Sequence, residues 1–270
     1  PPWSSTYPTA PRPEDYPAYV APRAYPMRTV NSLGQLRGEK RFTFEEFLTA
    51  RNSTRLVLAD RILDDLFTAV EAHGTERARR AVVVLRAWDR MAEANSRGAL
   101  LFEAFGRRIL LPAVWKDFFV IPQNYAEPFT TPRGIKDPAG AAALLDQAAA
   151  ETETRYGVLD APWGEFRRYR RGALDLPANG AVGGLGSFRV STTGPTNEAL
   201  QSVVHGDTWV AVVEFAKPTR AKVLVSYGNA TQPGSKHIED QLGLLARKEM
   251  RDAWLTRKDV EAHLESVDRW

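Results

Sequence analysis

Acid–base, nucleophilic and metal chemistry each need particular side chains at particular spacings, and the histidines are the first place to look. The chain has four of them, His73, His205, His237 and His263. None has a His-x-x-x-His or Glu-x-x-His partner, so no zinc site is legible. His73 follows a helical run and reads as a partner for the negative end of that helix. His237 stands beside an expected helix start and reads as a structural hydrogen-bonder. His205 precedes Gly206-Asp207 and reads as part of a surface turn. With no cysteine, disulfides, thiolate ligands and a Cys nucleophile are excluded. Neither Gly-x-Ser-x-Gly nor Ser-x-x-Lys occurs, which argues against a hydrolase elbow and a serine β-lactamase. Gly180 to Gly186 lacks the Lys-Ser/Thr of a phosphate loop and reads as a tight connection between backbones. Carboxylates stand next to arginines, as in Asp60-Arg61 and Asp89-Arg90, the pattern of solvated helix faces. Taken residue by residue, the chain shows no self-sufficient active site.

The elements around these residues are those of a globular α+β protein. The 270 residues are 43% hydrophobic and 26% charged, an ordinary balance for a chain with a real core. Net charge is only +3, too weak to point to nucleic acid. No apolar run approaches the ~18 residues of a membrane span. The opening Pro1-Pro2-Trp3 resembles the interior of a protein, so the chain is expected to be a processed or truncated piece.

Residues 1–28 read as an extended arm, because eight of the 18 prolines and four of the 8 tyrosines lie in residues 1–26. Trp3, Tyr7, Tyr16, Tyr19 and Tyr25 suggest that the arm lies on a protein surface. Residues 29–160 read as mainly helical. Thr43 with Glu46 three residues on predicts a capping box. Leu56, Ala59, Ile62, Leu63, Leu66 and Val70 recur at helical spacing, and Gly74 ends that run. Thr75 opens a further helix, another spans about Gly98 to Leu111, and Asp137-Pro138 starts an alanine-rich one that reaches Tyr156. Residues 161–270 read as a glycine-rich β region with closing helices. The expected strands are Ser187–Thr193, Thr208–Phe215 and Lys222–Tyr227, and the expected helices are His237–Met250 and Thr256–Ser266. The Thr208 run is apolar on both faces and predicts a strand buried within a layered sheet. Three strands do not make a sandwich, so they are expected to complete a sheet whose other strands lie elsewhere.

The most specific run is Ser226-Tyr227-Gly228-Asn229-Ala230-Thr231-Gln232-Pro233-Gly234-Ser235-Lys236-His237-Ile238-Glu239-Asp240-Gln241-Leu242. It resembles the closing segment of the large subunit in the penicillin-acylase family of N-terminal-nucleophile amidases, in the branch of acyl-homoserine-lactone and aculeacin-type acylases. Thr130-Thr131-Pro132-Arg133-Gly134, Pro162-Trp163-Gly164-Glu165 with Leu176-Pro177-Ala178-Asn179-Gly180, and His205-Gly206-Asp207-Thr208-Trp209 resemble segments of the same branch. Trp254 to His263 resembles the closing helix of penicillin G acylases. The shared order of these runs carries the resemblance over nearly the whole chain.

The resemblance implies the C-terminal part of an αββα hydrolase, incomplete without its partner segments. It implies amide hydrolysis of an N-acyl amine by an N-terminal Ser whose own amine is the base. That Ser and the oxyanion Asn would lie in segments outside this chain. Arg28 matches the family's Arg after the arm, which orders the amine and oxyanion network. Trp115 and Phe118, in the aromatic-rich region, are the implied acyl-pocket candidates. No cofactor is implied. Some members bind calcium partly through an Asp of the arm, but Val20 stands at that position, so no metal is assigned. Implied partners are the acylase chains carrying the Ser and the small subunit, with a small N-acylated substrate, no nucleic acid and no membrane span. The implied location is periplasmic or secreted. A β-lactam acylase is the alternative within the class, and a non-catalytic interaction module with the same fold is the alternative outside it.

Overall fold

The computed structural model describes residues 11–20, 25–38, 41–124, 126–194 and 198–267. Trp3, Tyr7 and the Pro1-Pro2-Trp3 start therefore lie outside the described residues. Met27–Gln35 (α1) is followed by Phe44–Arg51 (α2), Val57–His73 (α3), Glu76–Ala87 (α4), Ala99–Ile109 (α5) and Pro112–Phe118 (α6). Thr43 caps α2 with the expected box, its hydroxyl accepting from Glu46 N while the Glu46 side chain accepts from Thr43 N. Gly74 closes α3 and Thr75 caps α4 by accepting from Ala78 N. Pro112 ends one helix and opens the next at a position that needs no N–H donor. A short hairpin, Phe119–Ile121 (β1) with Arg133–Ile135 (β2), leads to Pro138–Tyr156 (α7), which Asp137 caps.

The main core is helical. α7 packs on α3, α4 and α5. Leu58, Ile62, Leu63 and Leu66 of α3 meet Leu100, Leu101, Phe102 and Phe105 of α5 and Leu145 of α7 in one cluster. Each such side chain contributes about 1.5–3 kcal/mol when fully buried, so this cluster is the chief source of cohesion.

After Trp163–Phe166 (α8) come Arg167–Arg171 (β3), Leu174–Pro177 (β4), Ser191–Thr193 (β5), Gln201–Gly206 (β6), Trp209–Glu214 (β7) and Arg220–Val225 (β8). Leu242–Arg247 (α9), Arg251–Asp252 (β9) and Arg257–Ala262 (α10) close the chain. The larger sheet has the order β4-β3-β6-β5, with β3 and β6 parallel, and a second runs β7-β8-β9. Tyr169, Val203, Val210, Leu224, Leu242 and Leu245 form a smaller second core.

Nine strands thus lie among the described residues where three were expected. β3 was hidden by its composition, Arg-Arg-Tyr-Arg-Arg. Its alternation is nevertheless strand-like, because Arg167 and Tyr169 point inward while Arg168 and Arg170 reach Asp175 on β4. Expected strand Ser187–Thr193 shrinks to Ser191–Thr193, since Arg189 N instead donates to Ser53 O. β7 is buried on one face only. Val210 and Val212 point inward, while Trp209 is 65% exposed and Val213 lies on the open face. β7 pairs with β8 alone and forms the edge of its sheet.

The expected helix from His237 to Met250 is only Leu242–Arg247. Residues 229–241 instead fold back on β8, where Gln241 N donates to Tyr227 O and Gln241 Oε1 accepts from Val225 N. Gly228 permits this return, because a Cβ there would collide with the His237 carbonyl. Lys248 at φ 61° then ends the helix.

Candidate functional site

Arg28 stands in the first turn of α1, whose Met27 and Val30 are buried and so turn the Arg away from the core. Its Nε donates to the Phe188 carbonyl at 3.0 Å and its Nη2 to Asp207 Oδ1 at 3.3 Å. The guanidinium carbon lies 5.4 Å from the Phe188 ring centre, a cation–π contact. Arg51, the last residue of α2, donates from Nη2 to Asp207 Oδ2 at 2.7 Å. It also lies over Phe188, at 5.9 Å. One carboxylate therefore bridges two guanidinium groups across one aromatic ring.

Asp207 lies in the connection between β6 and β7. The Ser226 hydroxyl, just after β8, donates to its carbonyl. Burial pushes the Arg51 pKa down, Asp207 pulls it back up, and the neighbouring Arg189 and Arg28 push it down again. Arg51 Nη1 is buried and makes no hydrogen bond among the described residues. Arg189 is anchored behind it, on Asn52 Oδ1 at 3.0 Å and the Leu245 carbonyl at 2.5 Å.

Two small recesses adjoin this cluster. One, of ≈ 90 Å³, is lined by residues including Tyr169, Val203, His205, Asp207 and Tyr227. The other, of ≈ 70 Å³, is lined by residues including Leu36, Phe47, Arg51 and Phe188. Both are well below the roughly 300 Å³ at which small-molecule sites begin.

Trp115 and Phe118 stand elsewhere. Phe118 is 7% exposed and packs on Phe105 and Phe119, and half-buried Trp115 meets Phe119 edge to face at 5.0 Å. They line neither recess. Sequence reasoning named Arg28 but passed over Arg51 and Asp207. The available signal was Asp207 inside the His205-Gly206-Asp207-Thr208-Trp209 run. Arg51 gave none, since a basic residue at a helix end is ordinary.

Val20 is exposed and apolar, so its side chain offers no oxygen to a cation such as calcium. Among the described residues no group of three His, Cys, Asp or Glu side chains could hold a metal.

His237 is a structural clasp. Its Nδ1 meets Asp240 Oδ2 at 2.7 Å and its Nε2 meets Glu265 Oε2 at 2.9 Å, while Lys236 also pairs with Glu265. The hydrogen bonds to Asp240 and then Glu265 raise the His237 pKa, and those from Lys236 and then His237 lower that of Glu265. A raised histidine stabilises below its unfolded pKa and loses that contribution as pH rises through its folded one. A depressed carboxylate loses its contribution as pH falls through its folded value. The segment from Thr256 to Val267 is therefore expected to be held best between about pH 4.5 and 6.5. Amide hydrogen exchange of α10, corrected for intrinsic pH effects, checks this. Protection that stays level from pH 6 to pH 9 would leave the clasp no role.

The sequence profile described as penicillin amidase matches residues 4–262. Acyl-homoserine lactone acylase PvdQ of Pseudomonas fluorescens is 28% identical over 219 residues, which is 77% of this chain and 28% of that protein. Aculeacin-A acylase of Actinoplanes utahensis is 28% identical over 245 residues, 83% of this chain and 28% of that protein. The chain thus spans under one third of the length of these relatives. A thermostable penicillin G acylase from Alcaligenes faecalis superposes with a TM-score of 0.53 at 17% identity, over 98% of this chain and 56% of that one, a likeness of fold. With a family profile that runs over almost all of its residues, this chain belongs to the penicillin amidase family.

Proposed function

We propose that the chain is part of an acylase that hydrolyses the amide bond of an N-acyl amine, with an N-acyl-homoserine lactone or an acylated lipopeptide as substrate. The observation that carries this reading is the penicillin amidase match over residues 4–262. Relatives named for those two substrate classes support it. In this reading another segment supplies an N-terminal Ser as nucleophile and its amine as base. Arg28 lies close to that amine, where its charge favours the neutral, basic form. The partners are the acylase segments that carry the Ser and the small subunit. The location is periplasmic or secreted, and no described helix is long and apolar enough to cross a membrane. The family's own description supports a second reading, a β-lactam acylase acting on penicillins or cephalosporins.

The test is kcat/KM of the complete acylase across N-acyl-homoserine lactones of increasing chain length, with penicillin G and penicillin V alongside. Amide cleavage that favours the lactones supports the first reading, and preference for the penicillins supports the second. Opening of the lactone ring with the amide intact would sink both. The same series tests Trp115 and Phe118 as acyl-pocket residues. A change in preferred chain length in Trp115→Ala would support that role, with each methylene-scale mismatch worth about 1–3 kcal/mol. A uniform loss across the series would mark Trp115 as core.

A further inference from the structure

We infer that Asp207 is a positioning residue for Arg28 and that Arg51 fixes Asp207 for that task, an inference that rests on the amide-hydrolase reading above. The two ion pairs of Asp207 are unequal. The bond to Arg51 is 2.7 Å long, and that side chain is only 13% exposed. The bond to Arg28 is 3.3 Å long, and that side chain is 43% exposed. The short, buried pair is the anchor, and the longer one steers the accessible guanidinium. Two further restraints act on Arg28: the Phe188 carbonyl holds Nε, and the Phe188 ring lies beneath the fork. Asp207 is itself tied down through its carbonyl by Ser226.

These restraints come from α1, the end of α2, the Phe188 segment, the β6–β7 connection and the residue after β8. Stability does not account for the Arg28 pair, because a partly exposed ion pair contributes only about 0–1 kcal/mol. Orientation does, because a donor held at one angle serves a reacting group better than a mobile one. Among the described residues Arg28 Nη1 makes no hydrogen bond, so the held fork has a donor that they do not use.

The surrounding charges give the test a sign. Besides Arg28, Arg51 and Asp207, Arg189 faces Arg51 from behind and His205 lines the same recess as Asp207. Asp207→Asn adds one positive charge to this set and Arg51→Gln removes one. A positive charge disfavours a protonated amine. The acidic limb of the kcat/KM profile should therefore move down in Asp207→Asn and up in Arg51→Gln, each by about half a pH unit for charges that water partly screens. Arg51→Lys keeps the charge and should leave the limb in place.

The experiment is the pH profile of kcat and KM in the complete acylase, on N-dodecanoyl-homoserine lactone. The variants are Arg28→Ala, Asp207→Asn, Arg51→Gln, Arg51→Lys and the double variant of Arg28 and Asp207, with profiles repeated in a His205→Gln background. Asp207→Asn is expected to lower kcat tenfold or more, with KM little changed. In the Arg28→Ala background the same change should cost almost nothing further, because the two side chains act as one unit. An equal loss in both backgrounds, or a limb that moves with neither charge change, would overturn the inference. If Asp207→Asn does not mature, Arg51→Gln against Arg51→Lys decides. A limb that moves with Gln alone supports the inference, and identical profiles overturn it. A wild-type enzyme that leaves the amide intact would overturn the reaction reading, and this inference with it.

Discussion

On the acylase reading proposed above, the Arg28→Ala form of the complete enzyme is expected to fold and to lose about 10²–10³-fold in kcat/KM, the cost of removing one donor where charge develops. Folding should suffer little. Arg28 is 43% exposed, and Asp207, its ion-pair partner, has a second cation in Arg51. Arg28→Lys should recover only part of the loss, since a point charge cannot donate at once to the Phe188 carbonyl and to Asp207 in the fixed geometry of a guanidinium fork. The measurement is steady-state kinetics, with subunit processing followed by mass spectrometry. Normal maturation together with wild-type turnover in Arg28→Ala would remove this residue from the site.

A second large effect is expected at Glu103, inside the helical core. Arg167 is 1% exposed, and its Nη2 donates both to Glu103 Oε2 and to the Tyr156 hydroxyl. Its guanidinium also lies 5.3 Å from the Trp163 ring centre. Burial works against the charge, but Glu103 and then Tyr156 outweigh it and hold the Arg167 pKa above its usual value. Glu103→Gln leaves that cation buried without a counter-charge and should destabilise the protein by about 3–5 kcal/mol. Replacing both partners with apolar side chains, Glu103→Leu with Arg167→Met, should restore most of the loss, because no charge then needs solvation. Urea unfolding midpoints at constant slope would show both effects. A double variant no more stable than Glu103→Gln would mean that packing, rather than charge, sets the cost.

Local chemistry explains which elements the sequence showed. The Thr43, Thr75 and Asp137 caps and the Gly74 stop act within one helical turn, so their signals are complete in three or four residues. Hydrophobic spacing in α3 likewise needs no distant partner to be read. The strands behaved differently. β3 is paired with β4 and β6, and buried Glu103 with half-buried Tyr156 makes an inward Arg167 tolerable. His237–Gln241 reads along the sequence as the start of a helix, because the return of this segment onto Tyr227 and Val225 depends on β8 lying beneath it.

The family and the helix boundaries near strong caps are legible along the chain, because ordered motifs and capping chemistry are local, and Arg28 is put forward there as a candidate. What Arg28 touches is set by the packing of distant segments. Arg28, Arg51, Phe188 and Asp207 are separated by up to 179 positions, and no spacing rule joins them. They meet because α1, α2 and the β6–β7 connection converge on one aromatic ring. The same is true of Trp115 and Phe118, whose aromatic character was plain but whose placement against Phe105 and Phe119 was set by the packing of α5, α6 and β1.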